Sequence, residues 1–506
     1  MQLNSLKTSE NKHTVFLALV ILSAVIIRIL WAFYGALEYW GDGYHNIWMI
    51  KQSLEFGDYF DYKDRHLVWL PAYRLLLWLE FKLLNPESFN NFFVPFLLQL
   101  WYLGIALRYI YTRTTARLDI FIVAIVVLWP LPIIFSGFNM SEGLAISSVT
   151  TLFYLIGNKS SFITLMLISF FAAITVLSRH EATVFLGIYS VVLFFMNQKS
   201  ASYSIVTGVI FGLIALSYWN WILISDPFFW LSSKFNASSS GAAEFIETVG
   251  FIPRIAEALL AILLVFPFLP FVINGFKGTF FEKDTAAQSM FLSTILFLGV
   301  FLVASLFFFH GADPKYLLFV SFPCSLWTSQ AVKKNSHTLQ VVAISVVLIL
   351  IPIYALLFHV RSFNLELERR LGSELDQIIP ADLNGKLWCD FPTTLVYADW
   401  DPRKAISTDQ MQRFERESTN DIYQLLKEKE VKYIIASDYD HSAVLSFFDK
   451  MNSKESFTQK DITFTPIKVM DPSIEALPAN NNSLFPKLAS FAIERNKEIV
   501  VWRLDW

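Results

Sequence analysis

Residues 15–34 read VFLALVILSAVIIRILWAFY, and WGDGYHN follows at residues 40–46. The first stretch carries a single charge, Arg28. Its length suits a helix crossing the roughly 30 Å hydrocarbon core of a bilayer. Secretory h-regions are shorter and end at a small-residue cleavage site, which is not evident here, so the run is expected to remain as an uncleaved first span. Lys7 and Lys12 precede it and predict an N-terminus in the cytoplasm. Comparable apolar runs recur at 89–110, 119–136, 141–157, 161–177, 182–196, 203–223, 256–275, 288–309, 316–331 and 339–360. Together they predict a polytopic α-helical membrane protein of about eleven spans.

Composition agrees. Of the 506 residues, 55% are hydrophobic and 16% charged, below the roughly 25% charged of soluble domains. With 49 Phe and 15 Trp, the chain holds more apolar surface than one soluble core needs. A net charge of −3 gives no pull toward nucleic acid. Cys324 falls in an apolar run and Cys389 in the polar C-terminal part, so a disulfide between them is not expected.

Loop charge predicts orientation. Arg113, Arg117, Lys159, Lys199, Lys277, Lys283, Lys333 and Lys334 fall in the loops assigned to the cytoplasm. Everything after Arg361 then lies outside it, at the plasma (inner) membrane if the source is prokaryotic. Two domains are expected: a transmembrane domain over 1–360, with a long first external loop at 35–88, and a soluble extracytoplasmic α/β domain over 361–506. The first loop has two amphipathic stretches, near 44–56 and 68–84, expected to lie at the interface. A second external segment, 224–255, holds DPFFW and then the Ser-rich SKFNASSSGAAE, read as a loop. In the C-terminal part KLWCDF, VKYIIASD, FTPIKVM and KEIVVWRLDW predict strands, and 420–430 predicts a helix.

Charged residues among apolar runs are the candidates for chemistry. Asp42, between Gly41 and Gly43, fits a general base at the mouth of a membrane cavity or a solvated turn carboxylate. Glu142, in NMSEG, either faces a site or sits behind an N-cap at Ser141. Arg179 and Glu181, in SRHEA, fit an anion site, since Arg offers phosphate a fork of donors, or a loop with a snorkelling Arg. His310 and Lys315, in HGADPKY, could contact phosphate or flank a span. Arg28 is an intramembrane arginine and so a functional candidate. Arg65 and His66 precede VWLPAY in the first loop, and Asp58, Asp61 and Asp64 either hint weakly at a cation or are solvated carboxylates of a polar loop. No Walker loop, HExxH or Gly-x-Ser-x-Gly element is present.

In this order the segments resemble the GT-C superfamily, and most its branch of protein O-mannosyltransferases and lipid A aminoarabinose transferases. The elements are Asp42 in WGDGYHN, HLVWLPAY in the same loop, Glu142 in NMSEG, Arg179 and Glu181 in SRHEA, NWILISDPFFW, and Lys315 with Tyr316. The chain departs from many members at Gly43, where they carry a second acid, at His180, where they carry Pro, and at Lys315, where they carry Arg. The oligosaccharyltransferase WWDYG signature is missing, and YADWDP at 397–402 does not match it.

The resemblance implies a GT-C fold and an inverting glycosyltransferase. Its donor would be a polyprenyl- or dolichyl-phosphate sugar, a hexose such as mannose. Its acceptor would be a hydroxyl on a glycan, lipid or protein. Asp42 would be the base. Arg179 and Lys315, backed by Arg28, Arg65 and His310, would hold the donor phosphate. Glu142, His66, Glu181 and Tyr316 would serve the acceptor or support the others. No metal or other cofactor is expected, and no nucleic-acid partner. Two alternatives stand beside this reading. One is a transporter or flippase for a lipid-linked glycan, although no inverted repeat is visible. The other is a polymerase or ligase using a lipid-diphosphate donor.

Overall fold

The computed structural model describes residues 2–34, 41–55, 71–84, 93–113, 119–138, 140–158, 160–231, 250–267, 284–307, 314–333, 337–362, 365–380, 384–408, 410–411, 415, 421–437, 444–471 and 498–506. Two compact units result. The helical unit comprises Met1–Ala36, Leu67–Leu76 and Phe92–Ala355, and the C-terminal unit comprises Leu37–His66, Leu77–Asn91 and Leu356–Trp506.

In chain order the helices are α1 (Gln2–Tyr34), α2 (Gly41–Glu55), α3 (Pro71–Leu84), α4 (Phe93–Arg113), α5 (Ile120–Val127), α6 (Pro130–Ser136), α7 (Glu142–Ile156), α8 (Phe162–Val176), α9 (Glu181–Phe195), α10 (Lys199–Ile224), α11 (Phe251–Val265), α12 (Thr285–Phe307), α13 (Ser321–Lys333) and α14 (His337–Ser362). Within the described residues each of the eleven apolar runs falls on a helical segment, while 89–92, 268–275 and 308–309 lie outside them. Among the described residues five helices, within α1, α4, α10, α12 and α14, are long and apolar enough to cross a membrane, which makes this an integral membrane protein. The eleven-span count goes further than these five. At 1.5 Å per residue the 15-residue helices α7, α8 and α9 reach only about 22 Å. The run at 119–136 is broken in two. Asp119 caps α5 by accepting from the N–H groups of Phe121 and Ile122. Pro130 then disfavours helix at Trp129 and starts α6 as its first residue.

Packing in the helical unit follows membrane rules. Gly208 and Gly212 form a GxxxG step on α10 against α8. A Cβ at Gly208 would stand 2.2 Å from the Ser169 carbonyl oxygen, so only glycine admits the neighbouring backbone there. The Ser169 hydroxyl donates to the Ser204 carbonyl along the same seam. Large apolar side chains, Phe162, Phe195 and Phe211 among them, face outward, as in a protein solvated by lipid.

In the C-terminal unit, α15 (Glu366–Ile378) buries Leu367, Leu371 and Leu375, spaced four apart on one face. Six strands follow: β1 (Lys386–Cys389), β2 (Ala405–Ile406), β3 (Val431–Ser437), β4 (Phe457–Gln459), β5 (Ile462–Met470) and β6 (Ile499–Asp505). They form one mixed sheet in the order β2-β1-β3-β6-β5-β4. β1 pairs in parallel with β2 and β3, and the other pairs are antiparallel. Two further helices belong to this unit, α16 (Pro392–Tyr397) and α17 (Ile422–Glu428). Trp388, Trp502, Phe448, Phe464 and Leu426 fill the core. The four predicted strands and the helix near 420–430 are present, and both cysteines are free and buried.

In the first loop the stretch near 44–56 is helical as expected, and α2 buries Tyr44, Ile47, Trp48, Met49 and Ile50. Helix α3 does keep an apolar exposed stripe, Leu75, Leu79 and Leu83, with Tyr73, Leu77 and Phe81 buried.

Candidate functional site

Five of the residues singled out in the sequence converge in the helical unit. Glu142 is the first residue of α7 and is buried. Ser141 precedes it in helical conformation and makes no side-chain capping bond, so the capping explanation for this motif gives way to an ion pair. Arg179 Nη1 donates to Glu142 Oε1 at 2.7 Å, and Arg179 Nε donates to Glu181 Oε2 at 3.1 Å. The turn carrying Arg179 joins α8 to α9, and its backbone N–H bonds back to the Thr175 carbonyl. Glu181 then opens α9.

Across from this turn, Pro314–Val320 forms a 3-10 helix that presents Lys315 and Tyr316. The Arg179 guanidinium carbon lies 5.6 Å from the centre of the Tyr316 ring, and Lys315 Nζ lies 5.6 Å from the same ring. Two carboxylates and two cations thus balance around one aromatic ring. The side chain of Arg179 is only 11% exposed, so its charge acts in a poorly screened setting. Two carboxylates hold the guanidinium in one orientation.

The sequence did not single out Trp230. It belongs to DPFFW, where Asp226 accepts from the Phe228 N–H, and its ring stacks on His180 at 6.1 Å between centroids. Its indole N–H donates to the Ser217 hydroxyl. SRHEA and DPFFW are therefore neighbours in space. An aromatic three residues after Asp-Pro was the one signal available.

Arg28 has other surroundings. It is fully buried on α1, with Nη1 donating to the Ala24 carbonyl at 3.1 Å and the guanidinium 6.0 Å from the Tyr102 ring centre. The Nε and Nη2 atoms of Arg28 and the Tyr102 hydroxyl are buried without a hydrogen-bond partner.

Asp42 lies in the C-terminal unit, in the first turn of α2. Arg65, His66, His310, the Asp58, Asp61 and Asp64 group and the Ser-rich segment lie outside the described residues. Among the described residues no group of three or more His, Cys, Asp or Glu is placed to share a metal ion.

No protein-family model matches the sequence, and no curated protein matches it. Solved structures do match. ArnT from Cupriavidus metallidurans bound to undecaprenyl phosphate superposes with a TM-score of 0.62 at 10% identity, covering 96% of this chain and 98% of that one. The apo state of that protein gives the same figures. The apo oligosaccharyltransferase of Archaeoglobus fulgidus superposes with a TM-score of 0.50 at 10% identity, covering 84% of this chain and 69% of that one. Both neighbours belong to the GT-C superfamily, and this chain has the GT-C fold.

Proposed function

We propose that this protein is an inverting glycosyltransferase that takes a sugar from a polyprenyl- or dolichyl-phosphate carrier and gives it to an acceptor hydroxyl outside the cytoplasm. The observation that carries the reading is the fold match, over nearly the full length of both chains, to a protein solved with undecaprenyl phosphate bound. The buried Arg179 held by Glu142 and Glu181, with Lys315 alongside, supports it as a place for a phosphate. The five long apolar helices supply a setting for a prenyl tail, and the shorter helices would complete eleven spans. The domain boundary belongs near residue 360, and the reaction uses no metal.

In this scheme Asp42 takes the proton of the acceptor hydroxyl. The acceptor oxygen forms a bond to the anomeric carbon with inversion. The bond from that carbon to the phosphate oxygen breaks, and its electron pair leaves with the lipid phosphate. Negative charge grows on the departing phosphate, and fixed cations lower the barrier there. The sugar would be a hexose such as mannose, and the acceptor a glycan, lipid or protein.

The test uses the purified full chain, a chelator and a polyprenyl-phosphate sugar. Transfer is expected without added metal. Asp42→Asn should cut turnover by about a hundredfold or more. Lys315→Gln should raise the KM for donor; Arg179→Ala is less clean, because it strands the buried Glu142. No transfer from any lipid phosphate, or full turnover by Asp42→Asn, would overturn the reading.

A further inference from the structure

We propose that the stretch YADWDPR, residues 397–403, is a positioning element that fixes the helix bearing Asp42, with Asp399 as its key residue. The proposal rests on the reading of Asp42 as the base.

Three side chains of α2 reach this stretch within the C-terminal unit. Tyr44 and Tyr397 share a hydrogen bond at 3.2 Å, and their rings lie 5.6 Å apart. Lys51 pairs with Asp399. Glu55 forms an ion pair with Arg403, with Oε1 3.1 Å from Nε. Spacings of seven and four put Tyr44, Lys51 and Glu55 on one stripe of the helix. The three contacts therefore fix both the axis of α2 and its rotation. Asp42 lies two residues before the first of them, on the same continuous helix.

The local backbone gives a second reason to single out Asp399. Helix α16 ends in a Schellman arrangement. The Trp400 N–H bonds to the Leu395 carbonyl at 2.9 Å, and the Asp399 N–H bonds to the Val396 carbonyl at 3.1 Å. Asp399 occupies the left-handed position of that turn, with φ of 47°. Glycine fits there without strain, and Asp is among the few other residues that adopt this conformation, at a cost. That cost is consistent with work done by the side chain. Stability alone is a poor explanation. The Asp399 side chain is 77% exposed, and an exposed pair with Lys51 adds little to folding. Orientation of α2 is what the contact can provide. Asp401 supports the array from within, accepting from Arg403 through both of its oxygens, and that contact lowers the pKa of its carboxyl.

Asp399→Gly separates the two roles, because it removes the carboxylate and suits the turn. Hydrogen exchange in β1 and β3 should stay as slow as in the unmodified chain, while kcat falls severalfold, on the order of threefold to tenfold, at constant KM for donor. Charge exchange gives the rescue arm. Lys51→Asp and Asp399→Lys should each lower kcat, and the two together should return it to within about twofold. Hydrogen exchange across 43–55 should follow the same pattern, faster in the single variants and slower again in the pair. That readout needs no substrate, so it separates this proposal from the donor reading. If the unmodified chain transfers nothing but exchange follows the pattern, the donor reading fails and the positioning contact stands. Unchanged kcat and unchanged exchange in Asp399→Gly, or a double variant no better than the singles, would overturn the proposal.

Discussion

Arg179 in the helical unit and Glu368 in the C-terminal unit are both withdrawn from water, and they answer the cost of burial in opposite ways. Arg179 keeps its charge by drawing in two carboxylates from neighbouring helices. Glu368, on α15, is pushed up to about 7 by burial, against the opposing pull of a hydrogen bond from Thr393 and the charge of Arg369. It tends toward the neutral acid. Elsewhere the contrast holds. The helical unit buries Arg113 against Asp284 at 2.6 Å, with both side chains less than a fifth exposed. Pairs in the C-terminal unit, such as Lys454 with Glu498 and Lys460 with Asp421, sit at the rim. A bundle whose outer surface meets lipid has little water to lend its charges, so Arg179 and Arg113 are paired with carboxylates, whereas Arg28 is held by the Ala24 carbonyl and the Tyr102 ring. A domain with a wet rim can send its ions outward and let a proton settle the exception.

The largest test of this contrast is Glu142→Ala. It removes one carboxylate and leaves Arg179 with the other in a nearly closed site. Breaking a buried pair in this way should cost about 3–5 kcal/mol. Glu142→Gln keeps the shape and a hydrogen-bond acceptor and should cost less. Thermal unfolding of the purified chain in one detergent, followed by helix content, would show the ranking. Equal unfolding temperatures for the alanine variant and the unmodified chain would mean that the cluster is not held by its charges.

A second test reads Glu368 through pH. From the ordinary carboxylate range up to about 7, the folded unit keeps a proton that the unfolded chain has released. Stability is therefore complete at low pH and declines as pH rises through that window, on the order of 3 kcal/mol in all, then levels off. Hydrogen exchange at α15 amides, corrected for intrinsic rates, should show more protection near pH 5 than near pH 7.5. Glu368→Gln should flatten the slope. A profile that rises with pH would mean that the carboxylate is charged in the folded unit.

What the sequence made legible follows from the range over which each signal acts. Apolar runs and strand alternation are local, so the helical segments and four strands could be read directly. Strands β2 and β4, of two and three residues, are too short to show a period. Glu142, Arg179, Glu181 and Lys315 stood out because charge in an apolar run is costly without a purpose, and Tyr316 entered through the family resemblance. Their mutual contacts did not stand out, since Arg179 and Glu142 are 37 residues apart. The fastening of α2 was hidden further still. Tyr44 and Tyr397 are separated by 353 residues, and nothing in either stretch names the other. The break at Trp129 was written in Pro130 and Pro132, yet hydropathy passes smoothly across them.

The smallest expected effect concerns Lys460 and Asp421. Both side chains are about half exposed, and they form an ion pair at the start of α17. Asp421 has a second task. Its side chain accepts from the Gln424 N–H at 3.0 Å and so satisfies one of the open donors of the helix. The hydrogen bond from Lys460 is the larger influence lowering the pKa of its carboxyl, and the Gln424 N–H adds to it. The cap is nevertheless the contact that should matter for folding, because a backbone donor at a helix start has few other partners, whereas Lys460 regains water when the pair breaks. Lys460→Met should therefore cost well under about 1 kcal/mol, and less still in high salt. Asp421→Ala should cost about 1 kcal/mol, with little dependence on salt. Asp421→Ser keeps a capping oxygen and removes the charge, so it should fall near the lysine variant. Hydrogen exchange of α17 amides in low and high salt can rank the three. A large, salt-sensitive loss in Lys460→Met would show that the C-terminal unit, too, leans on its ion pairs, and the contrast with the helical unit would fail at its weakest point.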